Sequence, residues 1–349
     1  MKSKKIKKSI SDQIKEKNEK EIELETYEGN DSIVISTGST LLDLAISGTR
    51  IKGGGIPTGI AVEIFGDSSA GKTVLLCEIG GAIQRVGGDL IFNDPEARLN
   101  KEFAKIFDLD ITEDTIKEPD TVKEIFDCFT DWKPKGNGPY GIIADSIAAA
   151  STEAEMKEEK GYDGAKRAND FSVGFRKFTR KLKQKNYLMV FSNQIRDNMN
   201  AMPFAKKTKA TGGHAPKFYS SLRLEVKRIK KLTETKSIYG KEHKNNYGIV
   251  TEVTVEKSSV DKPDRKAEIY IVYDYGIDDV SANLTYIKQN SKHKTYSIDN
   301  GETSLGKSLV DAVKNIEDND LEKELKNETI KLWNKIQRKF KRERKKKKR

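Results

Sequence analysis

An α/β fold, with a twisted, mostly parallel sheet flanked by helices, is predicted by three observations. Continuous apolar runs at Leu90-Ile91-Phe92, Gly141-Ile142-Ile143-Ala144 and Leu188-Met189-Val190-Phe191 suit strands buried on both faces. Residues at helical spacing lie between such runs, as in Leu75, Leu76, Ile79, Ala82 and Ile83, and Gly87-Gly88 stops that helix. Between the strand Ala61-Val62-Glu63-Ile64-Phe65 and this helix sits Gly66-Asp67-Ser68-Ser69-Ala70-Gly71-Lys72-Thr73. It fits G-x-x-x-x-G-K-[ST] in the strand-to-helix setting that the motif needs.

The elements fall into four segments. Residues 1–32 form a Lys/Glu-rich arm in which Ile6, Ile10 and Ile14 share one helix face, a stripe too thin for a core and suited to a neighbouring subunit. The alternative is a charged tail that frays, because short isolated helices are marginal. Residues 33–278 carry the α/β pattern, and its later strands, Leu222–Val226, Ile249–Val255 and Ile269–Val272, alternate as half-exposed strands do. Residues 279–337 read as a small C-terminal domain. It holds Tyr286, Ile287, Tyr296 and Ile298, then a helix through Leu321, Leu325, Ile330, Leu332, Trp333 and Ile336. A basic tail, 338–349, has ten basic residues and one acidic.

Of the 349 residues 35% are apolar and 34% charged, and the formal net charge of +11 belongs to the two ends. No apolar run approaches the ~18–20 residues that cross a bilayer, so a membrane partner is not expected. The basic N-terminus lacks the apolar stretch of a secretory signal. Cys77 and Cys128 cannot build a disulfide framework, and His214, His243 and His293 lack metal-ligand spacing. A reducing, cytoplasmic setting follows as the expectation.

The glycines of the motif let successive N–H groups, from Gly66 through Asp67, Ser68, Ser69, Ala70 and Gly71 to Lys72, Thr73 and Val74, face phosphates at a helix N-terminus. Lys72 is expected to reach the β/γ-phosphates of ATP, and the Thr73 hydroxyl to ligate Mg²⁺. Asp145 ends the strand Ile142-Ile143-Ala144, at the sheet edge where ligands bind, and suits the ion or its water shell. Hydrolysis also needs a group to deprotonate water. Glu96, in Asn93-Asp94-Pro95-Glu96, closes another buried strand, but spacing alone does not separate it from Asp94.

These landmarks together resemble the bacterial RecA recombinases and their phage relatives. Ile35-Ser36-Thr37-Gly38-Ser39 with Leu42-Asp43 is similar to the family's opening segment, and Gly54-Gly55-Ile56-Pro57-Thr58-Gly59 to the turn before its first core strand. Asp94-Pro95-Glu96 falls at the family's D-A-E, which implies Glu96 as base. Phe103, beside Asn100, falls where a tyrosine stacks on adenine, and Asn100 replaces an aspartate. Phe191-Ser192-Asn193-Gln194-Ile195-Arg196 resembles F-I-N-Q-I-R, which implies Gln194 as a γ-phosphate sensor. Gly212-Gly213-His214-Ala215-Pro216-Lys217-Phe218-Tyr219 resembles G-G-N-A-L-K-F-Y. Lys257 matches the first of two lysines that reach the neighbour's nucleotide; the second position is Ser259.

The resemblance implies a RecA-like core that binds ATP and Mg²⁺ between subunits and forms a helical homo-oligomer on single-stranded DNA. Homologous duplex DNA would be paired and exchanged there, in a bacterial cell or a phage-infected host. It places DNA contacts in two loops. The first runs from about Lys157 to Arg167, including Lys166. The second follows Gln194 and carries Arg196, Met199, Met202, Phe204, Lys206, Lys207 and Lys209 before Gly212 and Gly213. The second loop also stands out by itself. Some 22 residues between Gln194 and Lys217 lack clear periodicity and mix cations with apolar side chains, which suits single-strand binding. Because Gln194 ends a core strand and begins this loop, ATP and DNA affinity are expected to be linked. The basic tail departs from the acidic tail of bacterial members. It is suited to polyanions, but also to a solvated charge run. The alternatives are a RecA-fold helicase-type motor, a recombination mediator without turnover, and a small-molecule kinase.

Overall fold

The computed structural model describes residues 33–136, 138–156, 164–197, 208–210 and 214–342. The N-terminal arm, 1–32, and the end of the basic tail lie outside them. In chain order, β1 (Val34–Ile35), α1 (Thr40–Ser47) and β2 (Ile56–Pro57) precede a run of strands and helices. That run comprises β3 (Ala61–Gly66), α2 (Lys72–Arg85), β4 (Asp89–Asn93), α3 (Lys101–Lys105), β5 (Ile116–Lys117), α4 (Val122–Asp131) and β6 (Tyr140–Ala144). Next come α5 (Glu153–Met156), α6 (Gly164–Lys185), β7 (Tyr187–Asp197), β8 (Thr208–Ala210) and α7 (Ala215–Tyr219). The strands β9 (Leu222–Ile238), β10 (Lys241–Ser258), β11 (Lys266–Val272) and β12 (Gly276–Ile277) follow.

The central sheet has the order β12-β11-β10-β9-β3-β7-β6-β4-β5, with β8 against β7. From β9 to β5 all pairs are parallel, whereas β10, β11 and β12 join antiparallel. The predicted α/β class therefore holds, with an antiparallel extension on one side. Alternation along β3 divides the core. Val62 and Ile64 pack with Leu75, Leu76, Ile79 and Ile83 of α2 on one face. On the other face lies a cluster with Phe126 and Phe129 of α4 and Phe171, Phe175, Phe178 and Leu182 of α6. Spacings of four, three and four residues put this last set on one helix face.

A charged group crosses that core. Glu63 on β3 is fully buried; its carboxylate accepts from Arg223 Nε at 2.5 Å and from Asn193 Nδ2 at 2.9 Å. Arg223 also pairs with Glu256, and its guanidinium lies 4.2 Å from the Phe65 ring centroid. β3, β7, β9 and β10 are thus tied together beneath the ends of the strands that carry the motif and Gln194.

The β9–β10 hairpin is longer than expected. Tyr239 and Gly240, both with positive φ (52° and 76°), form its two-residue turn. Past Val226 only Leu232 is buried on β9, and β10 becomes buried only from Gly248. The outer part presents Lys227, Arg228, Lys230, Lys231, Lys236, Lys241 and Lys244 to solvent.

After β12, α8 (Asp279–Asn290), the hairpin β13 (Tyr296–Ile298) and β14 (Thr303–Gly306), α9 (Leu309–Glu317) and α10 (Glu322–Lys339) surround Leu284, Ile287, Ile298, Leu305, Ile316 and Leu325. Asp279 at the start of α8 accepts from Thr40 N at 2.7 Å and Thr40 Oγ1 at 2.6 Å, which fastens α8 to α1. Among the described residues no helix is long and apolar enough to cross a membrane.

Asp43 of α1 sets a pH dependence. Burial pushes its carboxyl from 3.8 up to about 6, against hydrogen bonds from Ser36 and Thr37 and the charge of Lys326. Between these values the folded chain binds more protons than the unfolded chain, so this group's contribution falls as pH rises from about 4 to about 6, by at most ~3 kcal/mol. Urea unfolding across that window is expected to show a flatter pH slope for Asp43→Asn than for the unaltered chain.

Candidate functional site

The motif wraps the end of β3. Gly71 stands at φ +94°, and a Cβ there would lie 2.3 Å from Ile271 Cδ1; one on Gly66 would lie 2.0 Å from the Val226 carbonyl oxygen. Both positions therefore require glycine. α2 begins at Lys72, so its free N–H groups open on the loop. Thr251 Oγ1 of β10 donates to the Ala70 carbonyl at 3.0 Å and buttresses the loop from behind.

A cleft of about 630 Å³ lies beside the loop. Ser68, Ser69, Gly71, Lys72, Thr73 and Val74 form one wall, and Glu96, Asn100, Phe103, Asp145 and Gln194 lie around it. The structure thus gathers most of the expected nucleotide residues in one place. Lys72 Nζ donates to the Gly66 and Asp67 carbonyls at 3.0 and 2.7 Å. Burial lowers the Lys72 pKa, while Asp145, Asp67 and Glu96 act against that shift. An anionic phosphate at this point would return charge balance to the ammonium.

Thr73 Oγ1 donates to Asp145 Oδ2 at 2.6 Å, and the Ser192 hydroxyl donates to Asp145 Oδ1. A hydroxyl beside a carboxylate is a hard-oxygen donor set that fits Mg²⁺, whose remaining positions go to water and phosphate. Among the described residues no group of three or more His, Cys, Asp or Glu could hold a metal ion.

Asp94 and Glu96 are separated by their partners. Asp94 is 3% exposed and accepts the Leu99 N–H at 2.7 Å, while its carbonyl accepts the Ala97 N–H at 3.0 Å. It is engaged in shaping its own turn, where Ala97 takes φ +49°. Both carboxylates line the cleft, and Glu96 there lies 2.6 Å from Arg98. Asn100 caps α3 by accepting the Phe103 N–H at 2.7 Å, and the Phe103 ring stands edge-on to Phe107 at 5.1 Å. Gln194 is in register with Gly66 on the adjacent parallel strand, which brings the end of β7 to the loop.

Residues 4–278 match the RecA N-terminal domain family. The chain belongs to the RecA family. It is 34% identical over 249 residues to Protein RecA of Bordetella petrii and 35% identical over 250 residues to Protein RecA of Laribacter hongkongensis. Each match covers 71% of this chain and 66% of the relative, so the similarity spans slightly less than two thirds of these relatives.

The RecA-type DNA residues expected from the sequence are distributed unevenly. Lys157, Met199, Met202, Phe204, Lys206, Lys207, Gly212 and Gly213 lie outside the described residues. Arg196 and Lys209 are opposite one another where β8 pairs with β7, so the second loop contains a short strand that the sequence did not announce. Lys166 is exposed on α6. Arg167, also expected at a DNA loop, is 7% exposed and donates to the Ala148 carbonyl. It falls four residues before Phe171, on the inward face of α6, where it satisfies a backbone acceptor. Lys257 is not at this chain's own cleft; its ammonium donates to the Lys217 and Phe218 carbonyls at 2.9 and 3.0 Å, at the end of α7. Burial and the nearby Arg223 lower its pKa.

Several cleft residues escaped sequence reasoning. Ile249, Ile271 and Tyr273 form a wall from the antiparallel extension. Their sequence signal is only that of a strand, and the crossover that brings them to the motif lies nearly 200 positions away. Arg98 carries no motif of its own, and its local signal is closeness to Glu96; Ser192 lies behind the cleft, where it meets Asp145.

Proposed function

We propose that this RecA-family chain is an ATP- and single-stranded-DNA-dependent recombinase. It assembles as a filament on single-stranded DNA, pairs it with homologous duplex and exchanges strands, in recombination and repair. The observation that supports this reading is one strand shared by the cleft and the start of the expected DNA loop. β7 lies beside β3, its Gln194 lines the cleft, and its end pairs with β8.

In this reading the loop N–H groups and Lys72 hold the ATP phosphates. Thr73 and Asp145 hold Mg²⁺, which when bound neutralises phosphate charge. Glu96 takes the proton of the attacking water. Gln194 senses the terminal phosphate and alters the start of the DNA loop. Lys257 and the N-terminal arm serve contacts between subunits. The helicase-type and mediator alternatives gain no support from a particular feature. Electron microscopy of the full chain with single-stranded DNA and a slowly hydrolysed ATP analogue is expected to show continuous helical filaments. Closed rings, or filaments indifferent to nucleotide, would contradict the proposal.

A further inference from the structure

Asp145 is held from two sides. From the motif helix, Thr73 Oγ1 reaches its Oδ2 at 2.6 Å; from β7, the Ser192 hydroxyl reaches its Oδ1. Ser192 is fully buried, and its carbonyl accepts the Ile147 N–H at 3.3 Å. On the opposite side the Asp145 N–H donates to the Asn93 carbonyl at 2.9 Å. The carboxylate's backbone is thereby fixed by β4, and its side chain by β7. In the F-I-N-Q-I-R stretch that this strand resembles, the position of Ser192 is apolar and offers no donor.

We propose that Ser192 is a positioning residue for the metal carboxylate, and that it links metal binding to β7. A carboxylate with a single hydroxyl donor remains free to rotate about its last torsion. When Thr73 turns its oxygen to a cation, its hold on Asp145 changes. The bond from Ser192 does not depend on that movement, so one carboxylate oxygen stays fixed while the other faces the cation or its water. Ser192 and Gln194 are two residues apart in β7 and so project to the same side of the strand. The residue that orients Asp145 and the residue at the cleft end of the DNA segment therefore move as one piece of backbone. This inference rests on the reading of Asp145 as the metal-holding carboxylate.

The test is binding of the fluorescent nucleotide mant-ADP to the full chain, titrated with Mg²⁺ and, for comparison, with EDTA. No turnover is required. Ser192→Ala and Ser192→Ile are expected to raise the Mg²⁺ concentration at half-maximal binding about tenfold, the scale on which partners of metal ligands act. Affinity in EDTA is expected to stay unchanged. Ser192→Thr keeps the hydroxyl and is expected to restore the Mg²⁺ midpoint. Midpoints equal to the unaltered chain's in Ser192→Ala, alongside a large shift in Asp145→Ala, would overturn the role of Ser192 alone. A loss of affinity in EDTA equal to that in Mg²⁺ would also overturn it, since it would mark general support of the fold. An unchanged midpoint in Asp145→Ala would instead overturn the metal reading on which the inference stands.

Discussion

Glu96→Gln is expected to lower ATP turnover on single-stranded DNA by about 10²–10⁴-fold, the usual contribution of a positioned general base. Nucleotide and DNA affinities should remain close to those of the unaltered chain. The substitution retains size and hydrogen bonding but cannot accept the proton. Both carboxylates line the cleft, and the structure separates them by their partners. Asp94 is buried and already accepts the Leu99 N–H, whereas among the described residues Glu96 has no such backbone partner and meets only the exposed Arg98. Asp94→Asn should therefore act differently, by loosening the turn and lowering stability before chemistry. The Glu96–Arg98 pair, at 2.6 Å, involves an arginine that is 79% exposed, so solvent screens it and it adds little to stability. Steady-state hydrolysis together with equilibrium nucleotide binding separates these effects.

The second large effect concerns stability. Arg223→Ala is expected to destabilise the chain by about 3–5 kcal/mol, the cost of leaving one partner of a buried pair uncompensated. Glu63 is fully buried and among the described residues would keep only the Asn193 amide, while Glu256 would lose its guanidinium partner. Against a total stability of ~5–15 kcal/mol for a typical domain, this is a large fraction. The paired replacement Glu63→Gln with Arg223→Met should be milder, because it removes both charges together. Urea unfolding midpoints of the single and paired variants would test this ordering. Because Asn193 joins the group and Gln194 follows it, the single variant should also disturb the cleft end of β7.

The sequence was most informative where chemistry and local geometry coincide. The motif at Gly66–Thr73 and Asp145 at a strand end were readable because each sits where a short buried strand stops. The resemblance supplied the choice of Glu96 over Asp94, and Gln194, Asn100 and Phe103, which local patterns alone did not single out. The outer β9–β10 hairpin was hidden because Lys230, Lys231, Lys241 and Lys244 face solvent and give no apolar alternation. Pairing with the opposite strand, not burial, holds it extended. Arg167 looks solvent-facing in the sequence as a basic residue beside an expected loop, while helix phase turns it inward. Ser192 gives no local signal, because its partner Asp145 is 47 positions away and comes within reach only once β6 and β7 lie side by side.

The proposed link between ATP and DNA through β7 can be read from ATP hydrolysis with and without single-stranded DNA, in the unaltered chain and in Gln194→Ala. Strong stimulation by DNA is expected in the unaltered chain. In Gln194→Ala that stimulation should be lost while nucleotide binding persists. Turnover indifferent to DNA in the unaltered chain, or full stimulation retained in Gln194→Ala, would contradict it.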